Sequence, residues 1–222
     1  ELITEHKFEK YYSNLLNDIK SKSLANLKIK LVNKSFIKKK IGINKKYQGV
    51  ALLVEPLNTY SFNLEVSKKI ESNFILILDK VGDPNNFGSI LRTSFAFGVK
   101  HIILLSRDRP QETGLIASIA SGALERVNIY EVNNLLNSIN YLKKTGWWII
   151  GLESKELDNC IDIKECKLED QKKVLIIGSE STGLRKLIRE NCDVLTRIRI
   201  KEKAIDSLNV VQALAIALYK IS

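Results

Sequence analysis

The side chains best placed for chemistry stand at turns that follow apolar runs. Glu180 comes two residues after Gly178, which closes the run Val174 to Ile177. A short apolar run ended by glycine predicts a buried strand and a sharp turn. In open α/β sheets ligands bind beyond the carboxyl ends of strands, so a carboxylate there is better placed for chemistry than one on a helix flank. Its plain alternative is a surface turn carboxylate. Asn209 closes Ser207-Leu208-Asn209, a triplet that caps a helix with apolar residues at Val210, Val211, Leu214, Ala215 and Leu218. Asn86 lies in Gly82-Asp83-Pro84-Asn85-Asn86, which reads as a turn because proline lacks an N–H and Gly and Asn tolerate turn dihedrals. Arg92 follows at helical spacing between Ser89 and Ala96, where a guanidinium can orient a hydroxyl, clamp a phosphate or form a surface salt bridge.

Other chemistries find little support. His6 and His101 are the only histidines and stand far apart, which argues against a Ser-His or Cys-His hydrolase. Cys160, Cys166 and Cys192 are odd in number and form no C-x-x-C pair, so they read as free or buried thiols in a reducing cytosol, with no disulfide framework and no zinc site. No G-x-G-x-x-G follows the first strand of the apolar part and no G-x-x-x-x-G-K occurs, so neither a Rossmann-type enzyme nor a P-loop enzyme is supported.

The elements that must position these residues alternate. Phe74 to Leu78, Val99 to Leu105, Trp147 to Leu152, Val174 to Ile177 and Val194 to Ile200 read as strands. Ile90 to Phe97, ended by Gly98, Gly114 to Ala123 and Leu135 to Lys144 read as helices. This alternation predicts an α/β domain, a parallel sheet with helices on both faces. Before it, Phe8 to Leu24 carries Tyr11, Tyr12, Leu15, Leu16 and Ile19 at helical spacing, Leu27 to Val32 alternates as a strand, Ser35 opens a short helix, and Tyr47 to Val54 reads as a further strand. The polar stretch around Pro56 predicts a linker near residues 56 to 66, dividing a small unit at 1–58 from a larger one at 67–222.

Three motifs in order, spread from Leu78 to Val210, carry a resemblance. They are Leu78-Asp79-Lys80-Val81-Gly82-Asp83-Pro84-Asn85-Asn86-Phe87-Gly88-Ser89-Ile90-Leu91-Arg92-Thr93, then Gly178-Ser179-Glu180 with Gly183-Leu184, then Ser207-Leu208-Asn209-Val210. Together the chain resembles the SpoU-type (TrmH-like) branch of the SPOUT RNA 2′-O-ribose methyltransferases; any one motif alone is weak. The resemblance implies a C-terminal trefoil knot, which general topology rules would otherwise argue against. It implies S-adenosyl-L-methionine as methyl donor, a homodimer, and structured rRNA or tRNA as substrate. Arg92, Asn86, Glu180 and Asn209 are the expected catalytic residues, with Arg92 orienting or deprotonating the hydroxyl. The expected cofactor contacts are Gly178, Ile198 and Leu208, with Ser121 and Gly122 nearby, and a glycine at 178 permits close approach. Three positions depart from the family's pattern: Ser181 stands where glycine follows the motif Glu, Arg199-Ile200 replaces Pro-Met, and Val211 replaces a serine. Each is expected near the cofactor, and the alternative they raise is an RNA-binding module that has lost methyl transfer. A basic, ribosome-associated factor without enzymatic activity is a weaker third reading.

Charge agrees with a nucleic-acid partner. The net charge is +10, yet residues 1 to 50 hold 12 Lys and no Arg against 4 acidic residues, leaving the remainder close to balance. Segregated lysine suits counterion release from phosphates, and Lys38, Lys39, Lys40, Lys45 and Lys46 are the expected RNA contacts; the alternative is a solvated basic face. The first unit resembles the back half of the ribosomal-protein-like domain that many SpoU-type enzymes carry, including its Gln-Gly-Val turn at residues 48 to 50. With Glu at residue 1 and no Met anywhere, the chain is expected to continue upstream. No apolar run approaches the ~20 residues of a membrane span, and a cytoplasmic location is expected.

Overall fold

A computed structural model describes residues 1–5, 17, 28–42, 47–154, 157, 159–166, 171–179, 182–202 and 207–221. The chain forms two compact units, Glu1–Pro56 and Leu57–Ser222. In the first, β1 (Leu2–Glu5) pairs parallel with β2 (Ile29–Val32) and antiparallel with β3 (Val50–Leu52). Helix α1 (Lys34–Ile41) seats Ile37 against Ile3 and Val32. Its N-cap is Asn33 and not Ser35. Buried Glu5 is anchored by the Tyr47 hydroxyl, which donates to its Oε1 at 2.7 Å. The helix expected over 8–24 lies outside the described residues but for Asn17.

The second unit is built on an eight-stranded sheet whose described pairings are all parallel. Its elements run β4 (Tyr60–Ser61), α2 (Leu64–Lys69), β5 (Phe74–Asp79), α3 (Pro84–Ala96), β6 (His101–Leu105), α4 (Gly114–Ala120), β7 (Asn128–Val132), α5 (Leu135–Lys144), β8 (Trp148–Leu152), β9 (Cys160–Asp162), β10 (Lys173–Gly178), α6 (Lys186–Arg189), β11 (Val194–Arg197) and α7 (Val210–Ile221). Strand order is β4-β7-β6-β5-β10-β8-β11-β9. Successive residues of a strand point to opposite faces, and the core divides accordingly. Phe74, Leu76, Leu78, Leu175 and Ile177 pack with α3, α4 and α7 on one face. Ile75, Ile77, Val174 and Ile176 pack with α5 and α6 on the other. Strands buried on both sides need continuous apolar runs, which is why β5 and β10 were legible in sequence.

Several boundaries differ from those read in the sequence. The stretch assigned to a linker is part of the second unit: Tyr60 and Ser61 pair with Tyr130 and Glu131, Phe62 is buried, and Asn63 caps α2 by accepting from Val66 N at 2.9 Å. The turn at 82 to 86 ends sooner, because α3 starts at Pro84. Asp83 caps it, accepting from Asn86 N at 2.8 Å, so Asn86 stands in the first helical turn. Proline at the first helical position forfeits only an N–H that has no helical partner. Helix α7 buries Leu214, Leu218 and Ile221 in its own core, leaving Ile216 and Tyr219 as its exposed large apolar residues. Among the described residues, no helix is long and apolar enough to cross a membrane.

Candidate active site

The chain passes from β5 outward to β6 and β7, then returns to place β8 and β10 on the other side of β5. Crevices open at the carboxyl ends of strands where the order reverses in this way. One opens beyond β10 and β8, lined by Leu152, Ile177, Ile198, Ile200 and Leu208, with Glu153, Ser154, Ser179 and Ser207 as polar groups. Its space, open mouth included, is about 560 Å³. The wall is apolar for a ring system and polar at a few points, which is how such sites fix orientation.

Three of the expected cofactor residues, Gly178, Ile198 and Leu208, line this cleft. Ser121 and Gly122 do not; they follow the end of α4, where Ser121 is exposed in a left-handed conformation with φ 51°. Arg199, a departure from the family pattern, is directed away: its Nε lies 3.2 Å from Asp162 Oδ2 on β9, while its neighbours Ile198 and Ile200 line the cleft. Its charge is therefore matched outside the cavity.

At Gly178 the missing side chain answers to the chain itself. A Cβ there would run into the backbone of Gly183 and stand 2.6 Å from Leu184 N. The contact arises because Ser179 and Gly183 bridge, Gly183 N donating to Ser179 O at 2.9 Å. Gly183 holds φ +65° and rests against the Glu153 carboxylate. Glycine at both positions is what lets the loop fold over the end of β10. Glu180 and Ser181, within the same loop, lie outside the described residues, as do Lys45 and Lys46.

Asn86 and Asn209 are brought together. Asn209 Nδ2 donates to Asn86 Oδ1 at 3.2 Å, across 123 positions of sequence. Asn209 Oδ1 accepts from Val211 N at 3.0 Å, so one side chain caps α7 and reaches α3. Asn86 is half-buried and Asn209 exposed, the latter between Leu208 and Val210, which line the cleft. Arg92 is exposed on α3, two turns further on, and is joined by no hydrogen bond or ion pair to the described residues. Lys38, Lys39 and Lys40 occupy the last turn of α1 in the first unit.

The sequence reading missed two carboxylates near the cleft. Asp79, at the end of β5, is fully buried, and Glu153, just past β8, has a fully buried side chain. A charged residue closing an apolar run was the available signal. His101 has its Nδ1 3.1 Å from the Tyr130 hydroxyl and a pKa pushed down by burial and by Lys100. Burial pushes the Cys192 thiol up to about 12, and Cys160 and Cys166 are raised for the same reason. No group of three or more His, Cys, Asp or Glu among the described residues is arranged to hold a metal ion.

Residues 73–219 match the SpoU rRNA Methylase family. The chain belongs to that family. A relative in Borreliella burgdorferi, described as an uncharacterized tRNA/rRNA methyltransferase, is 38% identical over 205 residues, 88% of this chain and 87% of its own. The structure is also similar to that of an AdoMet-bound rRNA methyltransferase from Sinorhizobium meliloti, with a TM-score of 0.76 at 22% identity over 99% of this chain and 77% of that one. A protein studied for 2-OH methylation of C/U34 on tRNA gives a TM-score of 0.56 at 19% identity, over 66% of this chain and 91% of that one. These two likenesses speak to the fold alone.

Proposed function

We propose that this protein transfers a methyl group from S-adenosyl-L-methionine to a ribose 2′-OH of structured rRNA or tRNA. RNA methyl transfer with S-adenosylmethionine is what its family and its homologues support; the ribose oxygen as acceptor is the finer step. The observation that carries it is the Asn86–Asn209 hydrogen bond, which joins the first and third motifs, with Asn209 standing in the chain between Leu208 and Val210 of the cleft wall.

The cleft suits the cofactor. Ile177, Ile198, Ile200 and Leu208 offer apolar surface to an adenine ring, and the close approach of Gly178 and Gly183 leaves backbone groups to meet its edges. S-adenosylmethionine held there would supply an electrophilic methyl group, carried on a sulfonium, for in-line transfer to the hydroxyl oxygen, with S-adenosylhomocysteine and a proton as the other products. The protein's part is then positioning and proton handling. Asn86 and Asn209, locked to each other, fix the surface against which the ribose is set. Arg92, exposed and without a partner among the described residues, is available to orient the hydroxyl and assist departure of its proton. Glu180 is assigned to the same site by its motif.

In this reading the basic first unit grips RNA phosphates, with Lys38, Lys39, Lys40, Lys45 and Lys46 as its contacts. A second copy completes the site, its contact area including Ile216 and Tyr219 of α7, and the final segment of the chain forms the trefoil knot. The pairing of Arg199 with Asp162 favours an active enzyme over a binding module, since that charge does not face the cofactor.

Two measurements test this. Calorimetry of the unaltered protein should detect S-adenosylmethionine binding; none at millimolar cofactor, with RNA binding intact, leaves the binding module. Arg92→Ala should keep cofactor affinity within a few-fold while methyl transfer falls by at least about 10²-fold, the scale for losing a proton-handling group. Mapping 2′-O-methyls in RNA from cells with and without the protein then identifies the nucleotide, and a methyl found only on bases would refute the ribose assignment.

A further inference from the structure

The segment from Ser179 to Leu184 contributes Ser179 and Gly183 to the cleft. It leaves β10, which lies between β5 and β8, and each neighbouring strand ends near it with a buried carboxylate. On the β5 side, Asp79 Oδ2 accepts from Arg185 N at 3.0 Å and Oδ1 from Arg185 Nε at 2.7 Å. On the β8 side, Glu153 Oε2 lies 3.5 Å from Arg189 Nη1, Oε1 accepts from Ser154 N at 2.9 Å, and Gly183 rests on the carboxylate. Arg185 caps α6 and Arg189 ends it, so one short helix returns a guanidinium to each flanking strand.

We infer that Asp79 and Glu153 are positioning residues that hold the cofactor loop from two sides, and this inference rests on the cofactor reading above. Both carboxylates are removed from water, whereas their arginine partners keep 31% and 24% of their side-chain surface. A buried carboxylate is costly once its charge partner withdraws. Moving the chain away from Asp79 therefore costs its ion pair and two hydrogen bonds with Arg185, and moving it away from Glu153 lengthens the contact with Arg189, so the low-energy position is the one in which both pairs are made. The β5 pair has a second effect. The chain reverses directly after Asp79, with Lys80 at φ 62°, and enters the segment that leads to Asn86 and Arg92. Asp79 thus ties the loop that faces the cofactor to the helix that faces the hydroxyl. Neither carboxylate is assigned contact with the reacting atoms.

The test uses the full chain. Asp79→Asn and Glu153→Gln keep side-chain size and remove one charge each. In the protein without cofactor, amide hydrogen exchange at residues 182 to 185 should quicken about tenfold in Asp79→Asn, the worth of one charge-assisted hydrogen bond, and by less in Glu153→Gln, whose contact with Arg189 is an ion pair at 3.5 Å, while β10 stays protected. Each variant should raise the Kd for S-adenosylmethionine by about the same factor as its exchange and leave RNA affinity unaltered. Arg185→Lys, which keeps the charge and the main-chain bond, should recover most of what Arg185→Ala loses; a lysine no better than alanine counts against the clamp. Unchanged exchange at 182 to 185, or equal losses of cofactor and RNA affinity, overturns the inference. Should the carboxylate variants not fold, Arg189→Gln is altered at a partly exposed side chain and is read in the same exchange assay. Failure of the unaltered protein to bind S-adenosylmethionine would defeat the proposed function, and loop exchange would still decide the clamp.

Discussion

Gly178→Ala is the sharpest probe of the cleft, because the obstruction it creates is made of backbone. The added methyl would stand 2.6 Å from Leu184 N and closer still to the Gly183 carbonyl, against 3.4 Å at the lower end of ordinary contact. The loop must therefore move by about 0.8 Å at Leu184 N and by more at the Gly183 carbonyl. Gly183 has little room to retreat, since its far side rests on the Glu153 carboxylate and it already holds φ +65°. Overpacking of this kind costs roughly 1–3 kcal/mol. Losing the Gly183 N to Ser179 O bond adds about 1 kcal/mol. For a chain of this length, a total of about 2–4 kcal/mol corresponds to a fall in melting temperature on the order of 10 °C. Cofactor affinity should fall at least about tenfold, as the loop wall is what moves. Gly98→Ala is the control: φ is +77° but nothing lies within 4 Å, so it costs only the left-handed penalty of about 1–2 kcal/mol and spares the cofactor. Differential scanning calorimetry and titration calorimetry read both effects. A Gly178→Ala protein that melts within about 1 °C of the parent and binds S-adenosylmethionine unaltered would refute the close approach.

Three further outcomes are expected. Replacing Lys38, Lys39 and Lys40 together by Ala should weaken RNA binding and flatten its salt dependence by up to about 0.7–0.9 log unit per lost phosphate contact; an unchanged slope identifies a solvated face. Sedimentation at micromolar concentration should find a dimer, and Tyr219→Glu, at a side chain in a residue 82% exposed in the single chain, should shift it toward monomer. Cys192 is protonated in the fold up to about pH 12 and would ionise near 9 when unfolded. The unfolded state then releases its proton first, so stability is full below pH 9 and declines as pH rises toward 12. Chemical denaturation between pH 8 and 11 should show that decline, and Cys192→Ala should lessen it.

What could be read from sequence followed from burial. Strands β5 and β10 are apolar on both faces and flanked by turn residues, so their limits were visible within a residue or two. Helix α5 was read end to end because its apolar stripe and its cap at Asn134 agree. Strands β4 and β9 are two and three residues long and pair at or near the sheet edges, and no periodicity survives at that length. The site divided in the same way. Asn86 and Asn209 were chosen by motif, and their hydrogen bond gives that choice a geometric meaning. Asp79 was inside a quoted motif yet escaped notice, because its partner Arg185 lies 106 positions away and only the sheet order brings them together.

The central place of β10 bears on how the chain is made. Residues 173 to 178 are synthesised after both of the strands they separate, so a growing chain that has completed β5 and β8 holds an empty slot between them. Until that slot is filled, two strands expose unpaired N–H and C=O groups beside fully apolar side chains, the condition under which nascent chains adhere to one another. Filling it also delivers Gly178 to the cleft, and Asn209 follows some thirty residues later. Ribosomes that stall within that interval would release a chain whose central slot is filled but whose third motif, with Asn209, is missing.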